Sequence, residues 1–153
     1  MTTEIRTSRG RVYVGENGKA VLEWNTDFQP KWQKQYSDAQ EFVDSQVLRL
    51  CEPFIPLKTS MLVKSGTLGT EVGSGVVEWI APYARFQYYG KVMIGVNSRS
   101  AYAHRGERKV VTGRDLVYHG GGLRGAFWFQ RMKEIYGEQI ISGARKLAGG
   151  GGK

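Results

Sequence analysis

Two prolines three residues apart, Pro53 and Pro56, set a hard stop in this chain. A proline carries no backbone donor and pushes the residue before it out of the α region, so a helix reaching this point ends near Cys51 or Glu52. A helix does reach it. Trp32, Tyr36, Ala39, Val43, Val47 and Leu50 recur at steps of 4, 3, 4, 4 and 3, the spacing of one apolar helical face. Pro30 suits the first helical position, with Thr26 or Asp27 near enough to cap, which predicts a helix over residues 30–52. The opposite face carries Lys34, Asp38, Glu41 and Asp44. Nothing apolar surrounds these carboxylates to raise a pKa, so they read as solvated surface and not as acid–base machinery.

Beyond the prolines the pattern turns to β. Gly73-Ser74-Gly75 is a turn signal between Thr67–Val72 and the β-branched run Val76–Ile80, which predicts a hairpin. Pro82–Gly90 reads as a further strand, with Tyr83, Arg85 and Gln87 on one face and Ala84, Phe86 and Tyr88 turned inward. Met93–Val96, Val110–Val111 and Leu116–Tyr118 are shorter strand candidates, split by the long polar loop 98–109. A helical period returns with Phe129, Met132, Tyr136, Ile140, Ala144 and Leu147, flanked by Trp128, Ile135 and Ile141, and predicts a core-anchoring helix over 123–148. Near the start, Val12 and Val14, then Asn17-Gly18, then Ala20–Trp24 read as a hairpin that completes the sheet. Residues 1–10 hold little apolar material and read as a loose arm, and 149–153 as a glycine-rich tail. The expectation is one α+β domain over 11–148: two amphipathic helices packed on a small, mainly antiparallel sheet, with an extended basic loop or hairpin arm at 91–122.

Charge concentrates late in the chain. Of a net +8, residues 91–124 hold 7 basic against 2 acidic groups, and residues 125–153 hold 5 against 2. Such a half suits phosphate or an acidic protein surface, and composition does not choose between them. No apolar run approaches the roughly 20 residues that span a bilayer, and Met1-Thr2-Thr3-Glu4 lacks a secretion signal, so no membrane association and a cytoplasmic site of synthesis are expected. The single cysteine, Cys51, allows no internal disulfide and sits in an apolar helix face as a small core residue.

Reactive constellations are missing from the pattern. His104 and His119 lie 15 residues apart, far in sequence from the thiol, too few and too scattered for the three or four converging ligands of a metal site. His119-Gly120-Gly121-Gly122 resembles an oxyanion loop, but no Gly-x-Ser-x-Gly elbow supplies a nucleophile; a glycine hinge before the last helix is the better reading. Neither a Rossmann nor a Walker pattern occurs. No cofactor, no metal and no enzyme activity are expected.

One further pattern is more specific than these. A helix ending in Cys51 is followed by Pro53-Phe54-Ile55-Pro56, Leu57-Lys58-Thr59-x-Met61-Leu62, Ser65-Gly66 and Pro82-Tyr83-Ala84-Arg85-x-Gln87-Tyr88-Tyr89-Gly90. This frame resembles the minor capsid proteins encoded in the head–tail module of tailed phages, which are similar to the tail-completion proteins of the phage neck. Ser98-Arg99-Ser100 and Lys109-Val110-Val111 extend it, so that the likeness covers most of residues 45–147. It implies a structural virion protein that closes a ring, of six copies, between head and tail. The partners it implies are copies of itself, a connector or stopper, the tail terminator and tail tube, and genomic DNA in the channel. The location it implies is the virion neck, after assembly in the host cytoplasm. The same likeness marks Pro53, Pro56, Leu57, Thr59, Leu62, Ser65, Gly66, Pro82, Tyr83, Ala84, Tyr88 and Gly90 as structural. Arg85, Tyr89, Arg99, Tyr102, Arg105, Arg108, Lys109 and Arg114 are the expected assembly contacts. Many relatives carry Gly where this chain has Ser60, which argues against a positive-φ turn there. The alternative is a basic nucleic-acid-binding module built on residues 91–124.

Overall fold

The computed structural model describes residues 3–6, 10–14, 20–26 and 28–149. The Asn17-Gly18 turn, the Asp27 cap, the remainder of the first ten residues and the glycine tail after Gly149 lie outside them. The chain is α+β. Strands β1 (Thr3–Arg6), β2 (Gly10–Val14) and β3 (Ala20–Trp24) precede the long helix α1 (Phe28–Cys51). A 3-10 turn, Glu52–Phe54, follows, then α2 (Met61–Gly69), α3 (Ala84–Tyr89), β4 (Lys91–Gly95), β5 (Lys109–Asp115) and α4 (Trp128–Leu147). The strands form two separate antiparallel sheets, β1-β2-β3 and β4-β5. The β2–β3 hairpin expected from sequence is present, with Val12 opposite Leu22. Thr3–Arg6, expected in a loose arm, instead pairs along β2 from Thr3↔Val14 to Arg6↔Arg11.

The first helix stops where the prolines require. Cys51 is its last residue, and the amide of Ile55 donates to the carbonyls of Cys51 and Glu52 at 3.2 and 3.3 Å, tightening the exit into a 3-10 turn. The last helix begins at Trp128, five residues later than the expected start at 123, because the glycine-rich run forms turns, including Leu123 N–H to Gly120 C=O at 3.2 Å. Among the described residues the two long helices pack chiefly on each other, with no comparable contact to either sheet, which corrects the expected layering. Gly143 permits it: a Cβ there would lie 2.5 Å from the Phe42 ring.

Two other expectations fail for identifiable reasons. Residues 61–69 are helical, so the predicted 67–72 strand does not exist. Ser65 and Gly66 are weak helix formers, but Leu62, Ser65 and Gly66 all face the core at helical spacing, and packing overrides propensity. The Gly73–Gly75 turn is real, with φ of 95° and 80° at the glycines, yet Val76–Ala81 returns along α2 instead of pairing with a strand. Its contacts are Glu78 N–H to Thr70 Oγ1 at 3.0 Å and Ile80 N–H to Ser65 C=O at 3.5 Å. Ala84–Tyr89 is likewise helix, started behind Pro82 and closed by Gly90 at φ 71°, whose amide reaches Phe86 C=O at 2.9 Å. The expected alternation of faces therefore gives way to helical spacing. Ala84 and Tyr88 still turn inward because they are four residues apart. Leu116–Tyr118 forms no strand. Finally, Ser60 does adopt a left-handed φ of 57° ahead of α2, so the turn survives without glycine.

The core lies where α1, the 3-10 turn, α2, α3 and α4 meet. Val47, Cys51, Phe54, Ile55, Leu62, Ala84, Trp128, Met132 and Ile140 fill it, with Trp79, Tyr88 and Tyr136 packed against them. Trp128 takes edge-to-face contacts from Tyr88 at 4.8 Å and from Trp79 at 5.8 Å. Neither indole N–H finds an acceptor, so these rings are held by buried area and ring geometry.

Candidate interaction site

The residues that carry the sequence likeness build a hub. A helix broken by proline leaves carbonyls without donors, and buried carbonyls need them. Here two arginines from far along the chain supply them. Arg124 Nη1 donates to Glu52 O at 3.0 Å and Ile55 O at 2.7 Å. Arg131 donates to Phe54 O at 3.4 Å and to Leu123 O, with its guanidinium carbon 5.4 Å from the Phe54 ring centroid. Gly125 N–H adds a bond to Phe54 O at 2.9 Å. Nothing in the sequence distinguished these arginines from surface charge, since the carbonyls of the proline break that they reach lie 69 to 77 residues away.

Each structural motif residue has a place around this hub. Pro53 opens the 3-10 turn and Pro56 follows it, while Leu57 and Thr59 are exposed before α2. Leu62 is core, Ser65 Oγ donates to Leu62 O at 2.7 Å, and Gly66 lies under Trp79. Pro82 and Tyr83 are exposed ahead of α3; Ala84 and Tyr88 pack inward; Gly90 turns the chain into β4. Cys51 is fully buried, and burial pushes its thiol up to about 12, the behaviour of a packed core residue.

Asp44 departs from expectation. It is 2% exposed, not solvated. Its Oδ2 accepts the amides of Gly73 and Gly75 at 2.8 and 3.0 Å, and Oδ1 accepts Gln40 Nε2 at 2.9 Å. The carboxylate thereby anchors the turn that leads the chain back over α2. Its neighbours on the helix, Lys34, Asp38 and Glu41, are exposed as expected.

Of the expected assembly residues, six lie on one hairpin. Arg99, Tyr102, Arg105 and Arg108 occupy the turn joining β4 to β5, and Lys109 and Arg114 lie on β5. Arg85 and Tyr89 lie on α3, one residue before β4 begins, with Tyr89 stacked edge-on to Phe127 at 6.0 Å. The hairpin turn is held from within by Glu107, which sequence reading passed over. Glu107 Oε1 accepts the amides of Asn97 and Ser98 at 2.7 and 2.6 Å, and Oε2 accepts that of His104 at 2.8 Å. The amide of Ser98, followed by those of His104 and Asn97, holds this carboxyl down to about 2. Gly95 makes room for it: a Cβ there would sit 2.5 Å from Glu107 Oε1. Lys109 Nζ is tied to Ala101 O at 2.8 Å, and Lys91 pairs with Asp115. Among the described residues, the guanidinium groups of Arg99, Arg105, Arg108 and Arg114 have neither an ion pair nor a hydrogen bond. Tyr102 is 89% exposed.

Elsewhere an open apolar groove of about 350 Å³ runs between α1 and α4, lined by Tyr36, Ala39, Val43, Ile140 and Ala144. Among the described residues no three His, Cys, Asp or Glu side chains converge as a metal site, and no helix is long and apolar enough to cross a membrane. Fold and site together define a small α+β protein with a helical hub and an exposed β hairpin. No protein-family description, curated protein or solved structure matches this chain.

Proposed function

We propose that this chain is a structural component of a tailed-phage virion, a neck protein that joins head to tail by closing a ring with copies of itself. The reading rests on the resemblance carried by residues 50–66 and 82–90, whose side chains serve as framework. The observation that favours assembly over a free-standing monomer is the state of β5. Every residue of β5 but Thr112 is exposed, and Val110 and Val111, together with Val117 beyond the strand, are apolar and uncovered. A two-stranded ribbon is marginal in water by itself, and its open edge invites another chain. Leu68 and Met61 on the outer side of α2 add exposed apolar area that a neighbouring subunit would cover. The resemblance implies six copies, with connector or stopper proteins on one side and tail terminator and tube on the other. Two amphipathic helices form the body in this reading, and the basic arm lies towards the channel or a neighbour. The residues assigned to assembly are Arg85, Tyr89, Arg99, Tyr102, Arg105, Arg108, Lys109 and Arg114.

The test is the mass of the protein in solution by sedimentation, across salt from about 0.1 to about 1 M, where surface charge pairs are progressively screened. A discrete ring mass, or concentration-dependent assembly that persists at high salt, supports the reading. A monomer at every concentration that also adds to neither purified connectors nor tails refutes it.

A further inference from the structure

We infer that the β4–β5 hairpin is a preformed grip for the phosphate backbone of duplex DNA, with Arg99, Arg105, Arg108 and Arg114 as its cations and Glu107 as the residue that fixes its shape. The inference concerns this hairpin alone: it takes Arg99, Arg105, Arg108 and Arg114 out of the subunit contacts assigned above and leaves the neck reading to Arg85, Tyr89 and the exposed apolar residues of β5 and α2.

Three observations carry it. First, these four guanidinium groups are unpaired among the described residues, while the nearby acids are already engaged. Glu107 is spent on three backbone amides and Asp115 on Lys91. The hairpin therefore presents cations to whatever approaches, three on its turn and one on β5. Second, the turn is built and not slack. Gly95 N–H donates to Ser100 O at 2.8 Å, Arg99 N–H to Gly95 O at 3.0 Å, Val96 N–H to Arg108 O at 3.0 Å, and Glu107 N–H to His104 O at 2.9 Å. Arg99 is held at a left-handed φ of 53°. Ordering spent in advance is not charged against binding. Third, a two-stranded antiparallel ribbon is a shape the B-form major groove admits, about 12 Å wide, while the A-form RNA groove is too narrow for it.

The partner is decided by charge. A second copy of this chain carries the same net +8, so four free cations gain little by meeting it. A duplex offers one negative charge per about 1.7 Å of axis and a counterion atmosphere to release. Tyr102 adds an exposed ring and hydroxyl beside the cations, suited to contact with sugar and phosphate.

The experiment is duplex binding followed by fluorescence anisotropy over a salt series, with the sedimentation mass read on the same samples. Four phosphate contacts predict a log–log slope of about −3.6, or about a 150-fold loss of affinity between roughly 0.05 and 0.2 M salt. Each of R99A, R105A, R108A and R114A should flatten the slope by about 0.9, and the fourfold variant should remove it. Two further variants separate shape from charge. Glu107→Ala removes one negative charge, so a gripping surface that needed only charge would bind more tightly. The geometry requires instead a loss of about threefold to tenfold. Gly95→Ala changes no charge and should weaken binding comparably by displacing the Glu107 carboxylate. No duplex binding at about 0.05 M salt, an unchanged slope in the fourfold variant, or tighter binding by Glu107→Ala each overturns the inference. So does a fourfold variant that loses oligomer mass while the parent ignores DNA, which would make the hairpin a protein contact and leave the neck reading standing.

Discussion

Replacing Asp44 with alanine tests whether a single buried carboxylate holds the chain's return path over α2. Its three acceptor bonds do not count equally. Gln40, half-buried one turn earlier on α1, can swing its amide to water once the carboxylate is gone, so that bond costs little. Gly75 is exposed and regains a water, whereas Gly73 is half-buried beside Glu41 and does so poorly. The loss amounts to one charge-assisted bond and part of a second, about 2–4 kcal/mol at roughly 1.5–3 per bond. For a chain of this length that is a fall in Tm of about 4–16 °C. Asp44→Asn keeps an acceptor but not the charge, and should cost about half as much. Thermal unfolding followed by tryptophan fluorescence reads the global effect, and amide exchange at Gly73 and Gly75 reads the local one. If Asp44→Ala melts with the parent, or if those two amides already exchange freely in the parent, the anchoring role assigned to Asp44 is wrong.

Three further outcomes follow from the same geometry. Glu107 has its folded pKa depressed from 4.5 to about 2, so its contribution to hairpin order is complete above its unfolded value and disappears as pH falls through about 2; amide signals of Asn97, Ser98 and His104 should stay protected at pH 4 and lose protection near pH 2, and loss already at pH 4 contradicts the assignment. Cys51, fully buried with its thiol pushed up to about 12, should react with a thiol reagent at pH 8 only at the rate of global unfolding, so rapid labelling of native protein would show the site to be open. Gly66→Ala gains about 1 kcal/mol of helix propensity but drives a Cβ to 2.5 Å from Trp79 Nε1, in a ring already wedged against Trp128; overpacking of about 1–3 kcal/mol should win, and a variant that melts higher than the parent would refute the close packing.

The long helices were legible because their signals are local. Apolar steps of three and four, prolines bounding α1 and glycines bounding α4 need no distant partner to be read. The β2–β3 hairpin was legible for the same reason. Residues 61–90 were misread because their signals conflict. Ser65, Gly66 and Gly69 weaken the helical pattern of α2, and the β-branched pair Val76-Val77 suggests a strand that the fold lays down as an unpaired extended segment. The signal for α3 was present in Pro82 and Gly90, which bracket it as a helix start and stop. The alternation of Ala84, Phe86 and Tyr88 obscured it. The exposed arginines of the hairpin could be read from composition. Glu107 and Gly95 could not, because a carboxylate that turns inward on its own loop looks the same in sequence as one in solvent.

The same limit governs how the net charge should be understood. Residues 91–153 carry the entire excess, yet the fold divides those cations by task. Arg124 and Arg131 are consumed by carbonyls that the Pro53–Pro56 break exposes; Lys109 and Lys91 are held by Ala101 and Asp115. A proline stop thus creates a demand for donors that basic residues some seventy positions later satisfy, and part of the basic composition follows from how the helix ends. Of the described cations left unspent in that half, Lys133, Arg145 and Lys146 lie along α4, while Arg99, Arg105, Arg108 and Arg114 share the one hairpin whose outer strand is almost wholly exposed. Removing Arg124 or Arg131 should therefore lower stability while leaving a salt-dependent partner interaction unchanged. Removing the hairpin arginines should do the reverse, which is the separation that net charge alone could never reveal.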